Sequence, residues 1–497
     1  MTLADSLETR GRHRVALGTL WQILARFVGL GLGVVVSVAL ARGLGRTDFG
    51  WVALGLTVVG IGNILSDVGM TQAASREIVA RSEAAPRIAG ALILARSILG
   101  VLVLIAAALA ASIITQQELP TVALFLLATS IVLYAPVALN AVFGARLRPG
   151  LIGITGLTQS IVWAVAAVVC TVLHASVTWY AAGFVLATCV QSVMSIFLAR
   201  GLQTISFKAW TSEATSLIRW SWTLCIGSLM FAIFQRGPMF VLQGVQGPNE
   251  MALFGGAWRF VDAAMLIPIA INTSLVPIAT AAIKNQANLR RMITIAMTIG
   301  CAFAAGLFAV VVPVAEPLGR LLLSNEFVGI GPVLVVAMAT FVTFSADSVW
   351  GGLLIAAGRG RSLATTGAVA AAVSIGLSLV LVPRLAALGA SLSVLVAQTL
   401  RTALLGIAGR DLVGPPPWSR ILRIAVSSLM TVTLGWILRD DMPVLLTTAI
   451  AGIAYVAAVL ALGAVHVNEA RMILRRPRPA DLSHSGTATP GEQADVV

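Results

Sequence analysis

Four arginines, Arg26, Arg96, Arg236 and Arg259, stand inside apolar stretches of this chain, away from its polar loops. A guanidinium is planar, stays charged and offers a fork of donors that matches two oxygens of a phosphate or carboxylate. An isolated arginine at mid-bilayer costs at least roughly 2.5–3.5 kcal/mol, so such residues tend to face a partner or a wet cavity. Two acids accompany them. Asp262 follows Arg259 by three residues on the same helical face. It either neutralises that arginine or takes up a proton or a sodium ion. Asp347, in Phe344-Ser345-Ala346-Asp347-Ser348, has no cation close in sequence. It is the second candidate for ion coupling, or else a polar partner inside a bundle. Four cations against two acids favour an anionic ligand. The plainer alternative is that each arginine snorkels to the membrane surface or satisfies backbone carbonyls.

Signs of catalysis are missing. The chain has no G-x-x-x-x-G-K-[ST] loop to hold a nucleotide. His13, His174, His466 and His484 are scattered over loops and tails. Cys170, Cys189, Cys225 and Cys301 lie in apolar runs at no metal spacing and read as packing residues. The expectation is a protein that is not an enzyme and needs no cofactor beyond a coupling H+ or Na+.

The elements that position these charges follow from composition. Of 497 residues, 58% are hydrophobic and 11% are charged, against about 25% charged in an ordinary soluble domain. With a mean hydropathy of +0.95, the chain belongs in a membrane. Its net charge of +13 then points to lipid headgroups and topology, and nucleic acid is not expected as a partner. A bilayer core needs roughly 20 apolar residues per helix, and fourteen such runs can be read between residues 17 and 465. On alternate sides of those runs, 24 of the 33 cations fall on one side and five on the other, the four intramembrane arginines aside. The positive-inside rule places that basic side, with both termini, in the cytoplasm.

Internal duplication organises the spans. A shift of 202 residues lays Gly45-Arg46-Thr47-Asp48 over Gly247-Pro248-Asn249-Glu250, and a shift of 213 lays the basic turn at Arg146 and Arg148 over Arg359 and Arg361. The expected division is an inner tail (1–16), a first six-span lobe (17–199), a linker (200–218) and a second six-span lobe (219–408). A second linker (409–419), two extra spans (420–465) and a disordered polar tail (466–497) follow. Pro268 and Pro277 interrupt one span of the second lobe and are hinge candidates.

Two stretches carry a family resemblance. Ala41-Arg42-Gly43-Leu44-Gly45-Arg46-Thr47-Asp48-Phe49-Gly50 closes the first span and opens the second, and Asp67-Val68-Gly69-Met70-Thr71-Gln72-Ala73-Ala74-Ser75-Arg76-Glu77 closes the second. Together they resemble the hallmark of bacterial oligosaccharide and polysaccharide flippases, of the multidrug/oligosaccharidyl-lipid/polysaccharide exporter superfamily. The resemblance implies an all-α polytopic fold of about fourteen transmembrane helices. Two six-helix lobes would form a V around a central cavity, with two extra C-terminal helices. It further implies alternating access in a bacterial plasma membrane. The cargo would be a polyprenyl-diphosphate-linked oligosaccharide, with a polysaccharide polymerase and glycosyltransferases as working partners. Arg26, Arg96, Arg236 and Arg259 would then hold the diphosphate and glycan while the prenyl tail stays among membrane lipids. Asp67 and the Arg76–Glu77 pair read as a latch or topology signal at the inner mouth. One departure is at Phe234-Gln235-Arg236, where similar flippases often carry an acid beside the arginine. The rival readings are a lipid II flippase, a cation-coupled multidrug exporter, and a membrane polysaccharide polymerase or ligase.

Overall fold

Backbone groups in hydrocarbon must find their partners within the chain, and a helix does this locally. The computed structural model describes residues 3–113, 120–283 and 285–465, which fold as helices and short 3-10 turns without a strand among them. The first half holds α1 (Leu3–Asp67), α2 (Met70–Ala80), α3 (Ala85–Ile113), α4 (Thr121–Leu133), α5 (Asn140–Ala145), α6 (Pro149–Val172) and α7 (Val177–Arg200). The second holds α8 (Trp210–Gln246), α9 (Pro248–Ala264), α10 (Leu266–Ala282), α11 (Gln286–Val311), α12 (Ala315–Leu322), α13 (Ile330–Ala356) and α14 (Gly360–Val413). Then come α15 (Trp418–Leu438) and α16 (Val444–Ala461). Helix α1 begins at Leu3, so residues expected as an inner tail continue into the first span. The expected C-terminal tail, 466–497, lies outside the described residues.

Eleven helical segments among the described residues are long and apolar enough to cross a membrane. Two of them, Leu24–Ala80 and Gly360–Val413, run to 57 and 54 residues, more than twice what one crossing needs. Both contain a break, at Gly45 (φ 72°, ψ −179°) and at Ala386 (φ 48°, ψ −129°). The count of fourteen expected spans is not fixed by these segments. The all-helical, multi-span character is.

Corresponding turns in the two halves share unusual backbone. Gly247, between α8 and α9, has φ 80° and ψ −172°, close to the values at Gly45. Only glycine adopts this extended left-handed conformation at low cost. His174 and Ala386 both sit at φ 48°, and Leu147 and Gly358 at 55° and 70°. Helices α15 and α16 attach to the second half on α11. Tyr455 Oη donates to the Ala302 carbonyl at 2.6 Å, and Ser428 Oγ to that of Ala305 at 3.3 Å.

Candidate cavity between the two halves

At one end of the bundle the halves are zipped together by residues 42–50. Arg42 Nη2 donates to the Leu321 carbonyl at 2.9 Å. The Arg46 backbone N–H donates to Glu326 Oε2 at 2.9 Å, its Nε to the Asn249 carbonyl at 3.0 Å, and its Nη2 to Glu250 Oε1 at 3.1 Å. Thr47 Oγ1 donates to Asn249 Oδ1 at 2.8 Å. Phe49 meets Phe327 edge-on, with ring centroids 5.3 Å apart. A Cβ at Gly50 would stand 2.1 Å from the Pro248 carbonyl oxygen, so the backbones touch there because no side chain intervenes. Beneath the seam, Leu40, Phe49, Phe254, Trp258 and Phe327 share one buried core drawn from both halves.

Past that seam, two cavities flank α9. One, of about 270 Å³, lies between the second arm of α1 (Ala53 to Ile64) and the α8–α9 pair, where Gln235, Arg236, Arg259 and Asp262 reach it. The other, of about 430 Å³, lies between the first arm of α1 and α9, α11 and α13. Its walls are mostly apolar, among them Leu30, Val34, Phe303, Leu307 and Met338, with Arg259 and Asp262 on its rim. Arg259 and Asp262 thus belong to both.

Within this group Asp262 binds Arg236 and not the neighbour on its own helix. Both of its carboxylate oxygens accept from Arg236 Nη2, at 2.8 and 2.9 Å. The acid absent from the sequence beside Arg236 is supplied from α9, 26 residues on. The Arg236 guanidinium also lies 5.7 Å from the centroid of the Trp258 ring, a cation–π distance. Arg259 donates no hydrogen bond among the described residues, so its fork is open at the wall of two cavities. Asp262 thus accepts its hydrogen bonds from Arg236 and acts on Arg259 only through its charge. The three-residue spacing puts both on one face, but the donor of α8 lies closer to the carboxylate.

Other charges go elsewhere. Arg96 does not line either cavity. It is buried within the first half, its Nη1 3.3 Å from Asp67 and its guanidinium 5.3 Å from the Tyr134 ring centroid, while its Nε finds no hydrogen-bond partner among the described residues. Asp67 in turn accepts from Thr71. Glu77 bonds Arg81 at 2.7 Å, and Arg81 reaches Glu213 at the start of α8 at 3.0 Å. Arg76 makes no such bond among the described residues. Asp347, which has no cation nearby in sequence, has one in space. Arg401 Nη1 contacts its two oxygens at 2.6 and 2.5 Å, with both side chains buried. Arg401, one of the 24 cations counted on the basic side, lies 12 residues before the end of α14, about 18 Å along the helix. Arg26 is exposed, on the face of α1 that carries Leu30, Gly33 and Ser37 into the larger cavity. The helix break falls at Met265, between α9 and α10. Pro268 follows in the first turn of α10, its carbonyl accepting from Ser348 at 3.1 Å, and Pro277 lies further along α10.

Residues 15–283 match the family described as polysaccharide biosynthesis protein. The chain belongs to that family. No curated protein matches it by sequence. Among solved structures, it is similar to "Lipid II flippase MurJ, inward closed conformation", with a TM-score of 0.75 at 13% identity, covering 92% of this chain and 100% of that one. It is also similar to a multidrug resistance MATE family transporter in an inward-facing conformation, with a TM-score of 0.63 at 16% identity, covering 80% and 95%. A third is a transporter of the same superfamily from Pyrococcus furiosus, described as having a binding pocket of reversed polarity, with a TM-score of 0.61 at 16% identity, covering 82% and 96%. This member of the polysaccharide biosynthesis family is therefore a multi-pass membrane protein with the two-lobed fold of flippases and multidrug transporters. Its matched region takes in residues 42–50 and 247–250 of the seam, both cavity arginines and Asp262.

Proposed function

We propose that the protein flips a polyprenyl-diphosphate-linked oligosaccharide from the inner to the outer leaflet of a bacterial plasma membrane, by alternating access, for cell-surface polysaccharide synthesis. One observation carries this reading: the Arg236–Asp262–Arg259 group sits where a cavity between the halves, with Thr57, Gln235 and Arg236 set among mostly apolar walls, meets an almost wholly apolar one beside α1. An amphiphile with an anionic head and a hydrocarbon tail suits such a junction. The diphosphate would lie at the open fork of Arg259. The prenyl chain would follow Leu30, Val34 and Leu307 outward. A sugar full of hydroxyls, which hydrocarbon rejects, would occupy the polar side. With the seam closed at Arg46, Glu250 and Asn249, the cavities would take cargo from the side of the arginine-rich loops, the cytoplasmic side by the charge rule. A coupling proton or sodium ion could reach Asp262 from the cavity, whereas Asp347 is sealed against Arg401.

A second reading, a lipid II flippase, is favoured by the full-length likeness to the MurJ structure. A multidrug exporter for cationic drugs is disfavoured by two arginines against one acid at the cavity wall. Reconstitution into vesicles tests the choice. The wild type should translocate a polyprenyl-diphosphate oligosaccharide faster than a peptide-bearing lipid II, and Arg236→Gln with Arg259→Gln should slow it at least roughly tenfold. Equal loss-free transport by the double variant, or transport of cationic dyes alone, would end the proposal.

A further inference from the structure

Two like charges on the wall of an empty cavity repel each other, and a nearby counter-charge lowers that cost. Asp262 supplies it to Arg236 through both carboxylate oxygens, while Arg259, three residues earlier on α9, keeps its donors free. The pair is also within reach of the cavity. Side-chain exposures of 28% for Arg236 and 34% for Asp262 leave both open to an incoming ligand, unlike the sealed Asp347–Arg401 pair at 5% and 8%. Both Asp262 oxygens sit on Nη2, the nitrogen shared by the two bidentate edges of the guanidinium, so the carboxylate occupies a donor that a phosphate gripping Arg236 through two nitrogens would need.

We propose that Asp262 is an internal competitor for the cargo's phosphate, holding the Arg236 fork while the cavity is empty and giving it up only to a ligand with two phosphates. This rests on the diphosphate reading above. A first phosphate binds Arg259 without displacing anything. The second must take Arg236 from Asp262 and then lie beside the displaced carboxylate. A monophosphate engages one fork and leaves the Arg236–Asp262 pair intact. Asp262 therefore keeps the diphosphate complex weak enough to release cargo on the far side, as any permeation site must.

The test uses the full-length protein in lipid nanodiscs, with polyprenyl diphosphate and polyprenyl monophosphate as the two probes. Wild type should bind the diphosphate more tightly than the monophosphate. Asp262→Asn, which keeps the shape and removes the competitor's charge, should bind the diphosphate roughly tenfold more tightly. It should also bind the monophosphate more tightly than wild type does, since the Arg236 fork is no longer held by an anion, and should release diphosphate more slowly. Asp262→Glu, which keeps the charge, should not gain affinity, and Asp262→Ser carries the same expectation as the amide if that variant does not fold. Unchanged or weaker diphosphate binding by the neutral variants overturns the competitor role while leaving the cargo reading intact. Wild-type protein that binds neither lipid above empty discs overturns both.

Discussion

Thr47 and Asn249 share a 2.8 Å hydrogen bond although 202 residues separate them. Each is the second residue after its own left-handed glycine, Gly45 or Gly247. Residues of equal rank in two copies of a motif meet on a two-fold axis, so the seam marks the pseudo-symmetry axis that relates the halves.

That contact makes a lock. With Thr47→Cys and Asn249→Cys in one chain, the contact between the two side chains brings the positions close enough for a short bifunctional thiol-reactive cross-linker, which should join most of the protein. If the seam opens in each cycle, translocation should stop on cross-linking. Cross-linked protein working at the full rate would mean that this end never needs to part.

Gly50 offers a gentler perturbation. A Val there must push against the Pro248 carbonyl, which a Cβ would approach to 2.1 Å. The expected cost of such overpacking is about 1–3 kcal/mol, charged to the closed seam. A cysteine placed at Ser324 should accordingly label faster with a thiol reagent in Gly50→Val than in the Gly50 protein. Equal labelling rates would show that the backbones can separate without cost.

Asp347 and Arg401 should behave as a buried pair. Removing one partner strands the other charge, at about 3–5 kcal/mol, whereas a neutral pair of similar shape restores much of the loss. Thermal unfolding in detergent should therefore show a large drop for Asp347→Asn and a smaller one for Asp347→Asn combined with Arg401→Gln. A single variant as stable as wild type would contradict the pairing.

Arg96 and Arg259 should separate stability from ligand binding. Arg96→Gln removes the ion partner of Asp67 and the cation over Tyr134, so it should lower the unfolding temperature with little change in diphosphate affinity. Arg259→Gln should do the reverse. The same binding loss in both would place Arg96 at the cargo after all.

The sequence exposes charges by their cost in apolar runs, and this is how Arg236, Arg259 and Asp262 stand out. It does not state which way each helix is turned. Arg96 and Arg259 look alike as intramembrane arginines, yet one faces Asp67 and Tyr134 inside its own half and the other faces open space. The Arg236–Asp262 bond joins two helices across a glycine break, and its angle is set by the turn at Gly247, not by local spacing. Arg401 is read as a span-end cation only because the apolar run ends at residue 408. The helix itself continues to Val413 and leaves Arg401 within the bundle. By contrast the 202-residue shift finds the seam, because duplicated glycine turns leave a trace in residue types.

The fastening of α15 to α11 through Ser428 and Ala305 makes the Gly414–Pro417 corner a passenger of the second half. The turn at 201–209 is tied to the first half, by Ser206 N–H donating to the Pro86 carbonyl at 2.9 Å and Gln203 Nε2 to that of Ala85 at 3.0 Å. Spin labels on these two bends would serve as the points of a caliper whose spread records every stroke of the machine.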